Sequence, residues 1–148
     1  PRAYRNGYLW ISAIFLIMGI SHELGAQQLK DYQWSNRILL LIDTSQDSEA
    51  LQSQLKLLQS HDAELLDRDL IIFTVGDAEV FNQLAEPTEI DINDIYKNTG
   101  TDRRFRGVVL IGKDGGVKLK RDFEVPPKSI FDLIDGMPMR RAEIKNKG

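Results

Sequence analysis

The stretch Asp43-Thr44-Ser45-Gln46-Asp47-Ser48-Glu49 sets three carboxylates and three hydroxyls directly after the apolar run Ile38–Ile42. Held at the mouth of a strand, such a loop can do acid–base work or grip a polar ligand. A thiol here would serve disulfide exchange or peroxide reduction, yet the 148 residues contain no cysteine. The nucleophile for either reaction is therefore absent. A second cluster, Arg103-Arg104-Phe105-Arg106, suits carboxylate or phosphate recognition, because a planar guanidinium donates two parallel hydrogen bonds. It reads equally as a solvated loop that pairs with the acidic first half of the chain. Asp43, Asp77 and Asp114 each follow an apolar run, and carboxylates gathered at strand ends can hold a hard cation, with Lys113 completing a phosphoryl-transfer-like set. Against this, Asp is common where a strand exits into a loop, and Asp114 belongs to a turn. His22 and His61 make no zinc set without cysteines, and no nucleophile elbow accompanies His61 to build a Ser-His-Asp triad. Gly107-Val-Val-Leu-Ile-Gly112-Lys113 has the spacing of a phosphate-binding loop. Four strand formers stand between its glycines and Asp114 replaces the magnesium-binding Ser or Thr, so a nucleotide cradle is excluded. No metal and no cofactor is expected.

The elements that must carry these residues follow from periodicity. Gln27 to Asn36 is polar with Leu29, Tyr32 and Trp34 interspersed, a lead-in strand or arm. Ile38–Ile42 is a strand covered on both faces. Asp47 or Ser48 can cap a helix over about 48–67, with Leu51, Leu55, Leu58, Leu65 and Leu66 on one face and Asp62 interrupting it. Leu70–Val75 is a second buried strand, and a weak helix is predicted around Ala78–Leu84. Ile92, Ile95 and Tyr96 mark a further helix that Gly100 terminates. Gly107–Gly112 is a third strand, and the Asp114-Gly115 signal turns it back into Val117–Arg121. Pro126 and Pro127 open the last predicted helix, which Gly136 ends. Met137 finishes the core, and the basic tail from Pro138 onward is expected as an exposed end.

Composition fits one ordinary globular domain, 28% charged and 42% hydrophobic. The net charge of −3 conceals an asymmetry: residues 43–94 hold 13 carboxylates against Lys56 and Arg68, whereas residues 95–148 hold 13 cations against 7 carboxylates. Either the two halves balance within one fold, or a basic face steers an anionic partner. Nucleic acid is not an expected partner. At the N-terminus Arg2 and Arg5 precede an apolar run of 13 residues, Tyr8–Ile20, short of the ~20 that span a bilayer. With Leu24-Gly25-Ala26 behind it, the segment 1–26 reads as a secretory signal, leaving a single domain over 27–148. An uncleaved anchor or a buried helix are the alternatives. Export to the periplasm or beyond is expected, with no stable membrane span after cleavage.

The order β-α-β-α-β-β-α, with crossovers joining the first strands and a hairpin closing the sheet, is that of a thioredoxin-like α/β three-layer sandwich around a mixed sheet. Ile111-Gly-Lys-Asp-Gly-Gly-Val-Lys-Leu-Lys120 and Phe131-Asp-Leu-Ile-Asp-Gly-Met-Pro-Met-Arg-Arg-Ala-Glu143 resemble the domain-of-unknown-function family DUF4174, a likeness spanning about residues 30–143. The resemblance implies a fold similar to peroxiredoxins and thioredoxins and an extracytoplasmic setting; it brings no established reaction. Where a thioredoxin carries a proline before its third strand, this chain has Arg106-Gly107. The expectation is a redox-inactive module that binds an envelope protein or a small anion through Asp43, Asp47, Arg103, Arg104, Arg106 and Lys113. Two alternatives stand beside it. One is a thiol-independent enzyme acting on a phosphoryl or carboxylate substrate, with Asp43 or Asp47 as base. The other is an adhesion or assembly role for the Met-Pro-Met-Arg-Arg tail.

Overall fold

A computed structural model describes residues 27–148. The proposed signal segment lies outside the described residues. A mixed five-stranded sheet forms the middle layer, built from β1 (Arg37–Ile42), β2 (Leu70–Val75), β3 (Val80–Phe81), β4 (Gly107–Ile111) and β5 (Val117–Arg121) in the order β3-β2-β1-β4-β5. Strands β1 and β2 run parallel, and β4 is antiparallel to β1. Its central strand is buried along its whole length, as its unbroken apolar run requires. Leu39 and Leu41 face a core closed by α1 (Glu49–Gln59), α2 (Asp62–Asp67) and α4 (Pro127–Asp135). Ile38, Leu40 and Ile42 face a second core with Leu29, Ile90 and α3 (Ile92–Thr99). This is the three-layer α/β sandwich expected from the alternation of elements.

Four local expectations are corrected. The long helix after β1 is two helices, because the chain turns at Ser60 and His61 before Asp62 starts α2. The lead-in segment is neither strand nor arm but a 3-10 turn, Leu29–Tyr32. Ala78–Leu84 is not helical: Gly76 N–H bonds the Glu79 carbonyl at 2.9 Å, and the resulting tight turn pairs Val80 and Phe81 with Val75 and Thr74. Edge pairing thus overrides a weak helical spacing. Finally, the tail is exposed along most of its length, but it is a helix anchored by buried Arg140 and not an unstructured end. Pro138 occupies the first turn of a fifth helix, α5 (Pro138–Lys147), where its missing N–H is harmless.

Helix α5 is held by an ion network. The Arg37 guanidinium, only 1% exposed, donates to both oxygens of Glu143 at 3.2 Å and to the Arg68 carbonyl at 2.8 Å. Lys113 Nζ reaches Asp69 at 2.7 Å and Glu143 at 2.8 Å. Buried Arg140 bonds Asp67 and, at 3.2 Å, Asp135, which also receives two bonds from Arg68. Burial pushes the Glu143 carboxyl up, but hydrogen bonds from Lys113 and Arg37 and their charges outweigh it and hold it below the usual range. Asp135 follows the same logic with Arg68 and Arg140.

Candidate binding site

The opposite end of the sheet gathers the sequence candidates. Asp43 N–H bonds the Val75 carbonyl at 3.0 Å, so Asp43 sits where the parallel β1/β2 pair ends, a common ligand position in α/β sheets. Ser48 caps α1 by accepting the Leu51 N–H at 3.2 Å, and its hydroxyl donates to Asp43 Oδ2 at 2.6 Å. Of the two capping candidates, Ser48 is therefore the cap. Asp43 Oδ1 accepts the Thr44 N–H at 2.7 Å. Because β4 is antiparallel to β1, Gly107 lies opposite Ile42, and Arg106 just before it enters the same end. Its Nε stands 3.6 Å from Asp43 Oδ1, its Nη2 3.9 Å from Asp77 Oδ1, and its Nη1 donates to the carbonyls of Arg103 and Phe105 at 2.7 and 2.8 Å. One arginine thus joins three loops: after β1, after β2 and before β4.

The remaining arginines differ in how far they are committed. Arg103 donates to the Asn93 side chain and lies 4.8 Å over the Tyr96 ring, a cation–π contact. Burial raises the Tyr96 hydroxyl above its ordinary range against the opposing charges of Arg106 and Arg103. The Arg104 side chain is 94% exposed, its Nε 3.5 Å from Asp102 Oδ1. The Arg104 backbone N–H bonds the Asp102 carboxyl and holds it low. Asp47 is exposed in the loop after β1, its backbone N–H on Ser45 Oγ, and its side chain pairs with none of the three arginines. Asn93 and Tyr96 were missed from sequence, where Tyr96 reads as an apolar helix position. The only signal was its place four residues after Ile92.

Two candidates fall elsewhere. Lys113 follows β4 at its far end and is a member of the α5 network, not of this site. Asp114 belongs to the hairpin turn, where the Lys118 and Gly116 N–H groups bond it. The three strand-end carboxylates therefore do not converge. Asp43 and Asp77 flank an arginine, and among the described residues no cluster of three His, Cys, Asp or Glu side chains is arranged for a metal. His61 contacts Ser60 and stacks near Phe131 at 5.9 Å, away from the acidic loop, while His22 lies outside the described residues. Both Asp43 oxygens are engaged, so the loop holds its carboxylate as a structural tie. The accessible chemistry is that of the Arg103–Arg104 corner, which is donor-only.

A comparison with curated proteins finds no match. Among solved structures, the chain is similar to the reduced 2-Cys peroxiredoxin of Plasmodium vivax. The identity is 16%, the TM-score 0.53, and the alignment covers 77% of this chain and 84% of the other. At that identity the likeness speaks for the fold alone, which is thioredoxin-like. The model of the family described as "Domain of unknown function (DUF4174)" matches residues 28–143. The two stretches that carry the resemblance, Gly112-Lys113-Asp114 and Met137-Pro138-Met139-Arg140, lie side by side at the α5 end of the sheet. With the family match spanning most of the chain and the sheet order in place, the chain belongs to the DUF4174 family, as a cysteine-free domain of thioredoxin-like fold.

Proposed function

We propose that this domain works in the cell envelope as a binding module, recognising an acidic surface of another protein or a small anion through Arg103 and Arg104. The observation that carries this reading is the saturation of Asp43. At the place where a redox relative would present a reactive group, this chain has a carboxylate hydrogen-bonded by Ser48 and Thr44 and ion-paired with Arg106. It is poorly placed to act as a base, and the arginine beside it is already neutralised. Arg103 on its aromatic platform and the exposed Arg104 remain as donors for a partner. Export is supported by the basic start, the 13-residue apolar run and the small residues before Gln27.

Reversing both charges, Arg103→Glu with Arg104→Glu, leaves Arg106 and its ties intact. Crosslinking in the native envelope at low salt should capture a partner with wild type and lose it with the double variant, and added salt should weaken the capture. Capture that the reversal leaves unchanged would exclude this face.

A further inference from the structure

A cleft of about 630 Å³ opens between the turn joining β4 to β5 and the corner joining α4 to α5. That is the size of an ordinary small-molecule site. Its lining divides by chemistry. The strand side contributes Arg37, Lys113 and Lys118, and the helix side contributes Leu133, Met137 and Met139. Two carboxylates also border it, but each is neutralised locally: Asp114 by Lys118 at 2.7 Å and Asp132 by Lys128 at 2.6 Å.

The donors are not all spent. Lys113 Nζ gives one N–H to Asp69 and one to Glu143, leaving the third without a partner among the described residues. Arg37 Nε is buried and also has no partner. Burial works against the Lys113 charge, but the Asp69 and Glu143 bonds prevail and keep it a cation across physiological pH. Opposite this floor lie soft, adaptable methionine and leucine side chains, half-open to solvent.

We infer that this cleft is a second binding site, distinct from the arginine corner, for a small amphiphilic anion: a carboxylate carried on a short apolar chain. Each component of the cleft selects one feature of that ligand. The unspent polar groups on its lining, the third Lys113 N–H and Arg37 Nε, are donors, so the polar end of the ligand must be an acceptor. Asp69 and Glu143 beside the same ammonium repel a phosphate dianion about twice as strongly as a monoanion, whose one acceptor the remaining N–H can meet. A ligand without an apolar body would leave Leu133, Met137 and Met139 unmet by any partner.

The test titrates octanoate into the purified protein and follows the Met137 and Met139 methyl signals by NMR. Octanol, acetate and octylamine serve as controls. Octanoate should bind saturably and shift both methyls, with each control at least about tenfold weaker. Leu133→Asp and Met139→Asp, both at positions 39% exposed and so tolerated by the fold, should weaken octanoate about tenfold by removing apolar contact and adding like charge. The Arg103→Glu, Arg104→Glu protein should bind octanoate as wild type does, which separates this site from the one proposed above. Absence of saturable shifts would overturn the inference. So would octanol binding as well as octanoate, or indifference to both wall substitutions.

Discussion

Replacing Gln54 by Leu isolates one side chain that ties two layers of the fold. Gln54 is fully buried in α1, where its Nε2 donates to the Val125 carbonyl at 2.9 Å and its Oε1 accepts the Val125 N–H at 2.6 Å. The amide thus replaces a missing strand for a single residue just before α4. Leucine nearly conserves volume but strands both Val125 groups in a dry core. Each unpaired group costs about 1–3 kcal/mol, and the added apolar burial returns about 1 kcal/mol, so Gln54→Leu should destabilise by about 1–5 kcal/mol. Urea unfolding at neutral pH measures this as a lowered midpoint with an unchanged slope. Gln54→Glu sharpens the test. The introduced carboxyl can accept the Val125 N–H, but when ionised it has no proton for the carbonyl and carries a buried charge. Burial raises its folded pKa above the unfolded value near 4.3, so its stabilising form is fully present below about pH 4 and lost as pH rises through the folded pKa. Gln54→Glu should therefore be worse than Gln54→Leu at pH 7 and better at acid pH. A loss under about 1 kcal/mol for Leu, or a Glu variant insensitive to pH, would refute the reasoning.

The α5 network gives a second contrast. Glu143→Ala leaves the Arg37 guanidinium buried without its carboxylate and should cost about 3–5 kcal/mol, while Arg141→Ala on the exposed face of the same helix should stay within about 0.5 kcal/mol. Chemical denaturation of the two variants checks the ratio. Glu143, Asp135 and Asp67 all titrate below the usual range, Asp67 chiefly through hydrogen bonds from Lys147 and Arg140. Carboxyls with lowered folded pKa values stabilise above the unfolded value and lose that stabilisation as pH falls through the folded one. Urea midpoints should therefore drop below about pH 4, and a midpoint rising on acidification would contradict the network. Gly107→Ala should cost about 3 kcal/mol or more, since φ is +150° and an added Cβ would stand 2.1 Å from the Arg121 carbonyl oxygen. A thermal melt close to wild type would show that β5 moves aside.

The sequence carried the middle of this structure better than its ends. Ile38–Ile42 and Gly107–Ile111 are unbroken apolar runs because both faces of those strands are covered, and Asp114-Gly115 announces the hairpin between β4 and β5. Lys113 was grouped with the Asp43 loop because it follows a strand, but strand direction decides its place. β4 runs antiparallel to β1, so six residues after Gly107 at about 3.4 Å each put Lys113 about 20 Å from Asp43. Arg140 read as part of a basic tail; only the Arg140–Glu143 spacing and Pro138 hinted at a helix, and its burial depends on Asp67 and Asp135, remote in sequence. Val80 and Phe81 misled because two residues are too few for a strand period, and their pairing is dictated by the turn at Gly76–Glu79. At the site, Arg106 meeting Asp43 was within reach of topology, whereas the Tyr96 platform required the packing of α3.

The two margins of the sheet determine how the domain behaves in a crowded compartment. Backbone groups left open at a sheet margin invite another chain to add a strand, and a protein without disulfides has no covalent guard against that. Here β5 alternates Val117 and Leu119 with Lys118 and Lys120 and ends in Arg121, so an approaching strand meets repelling ammonium groups. The other margin closes with a strand of two residues whose outer side is already bridged at Phe81–Pro87 and bonded by Thr88 N–H on the Val80 carbonyl at 2.8 Å. Both margins thus carry features that disfavour addition of a sixth strand.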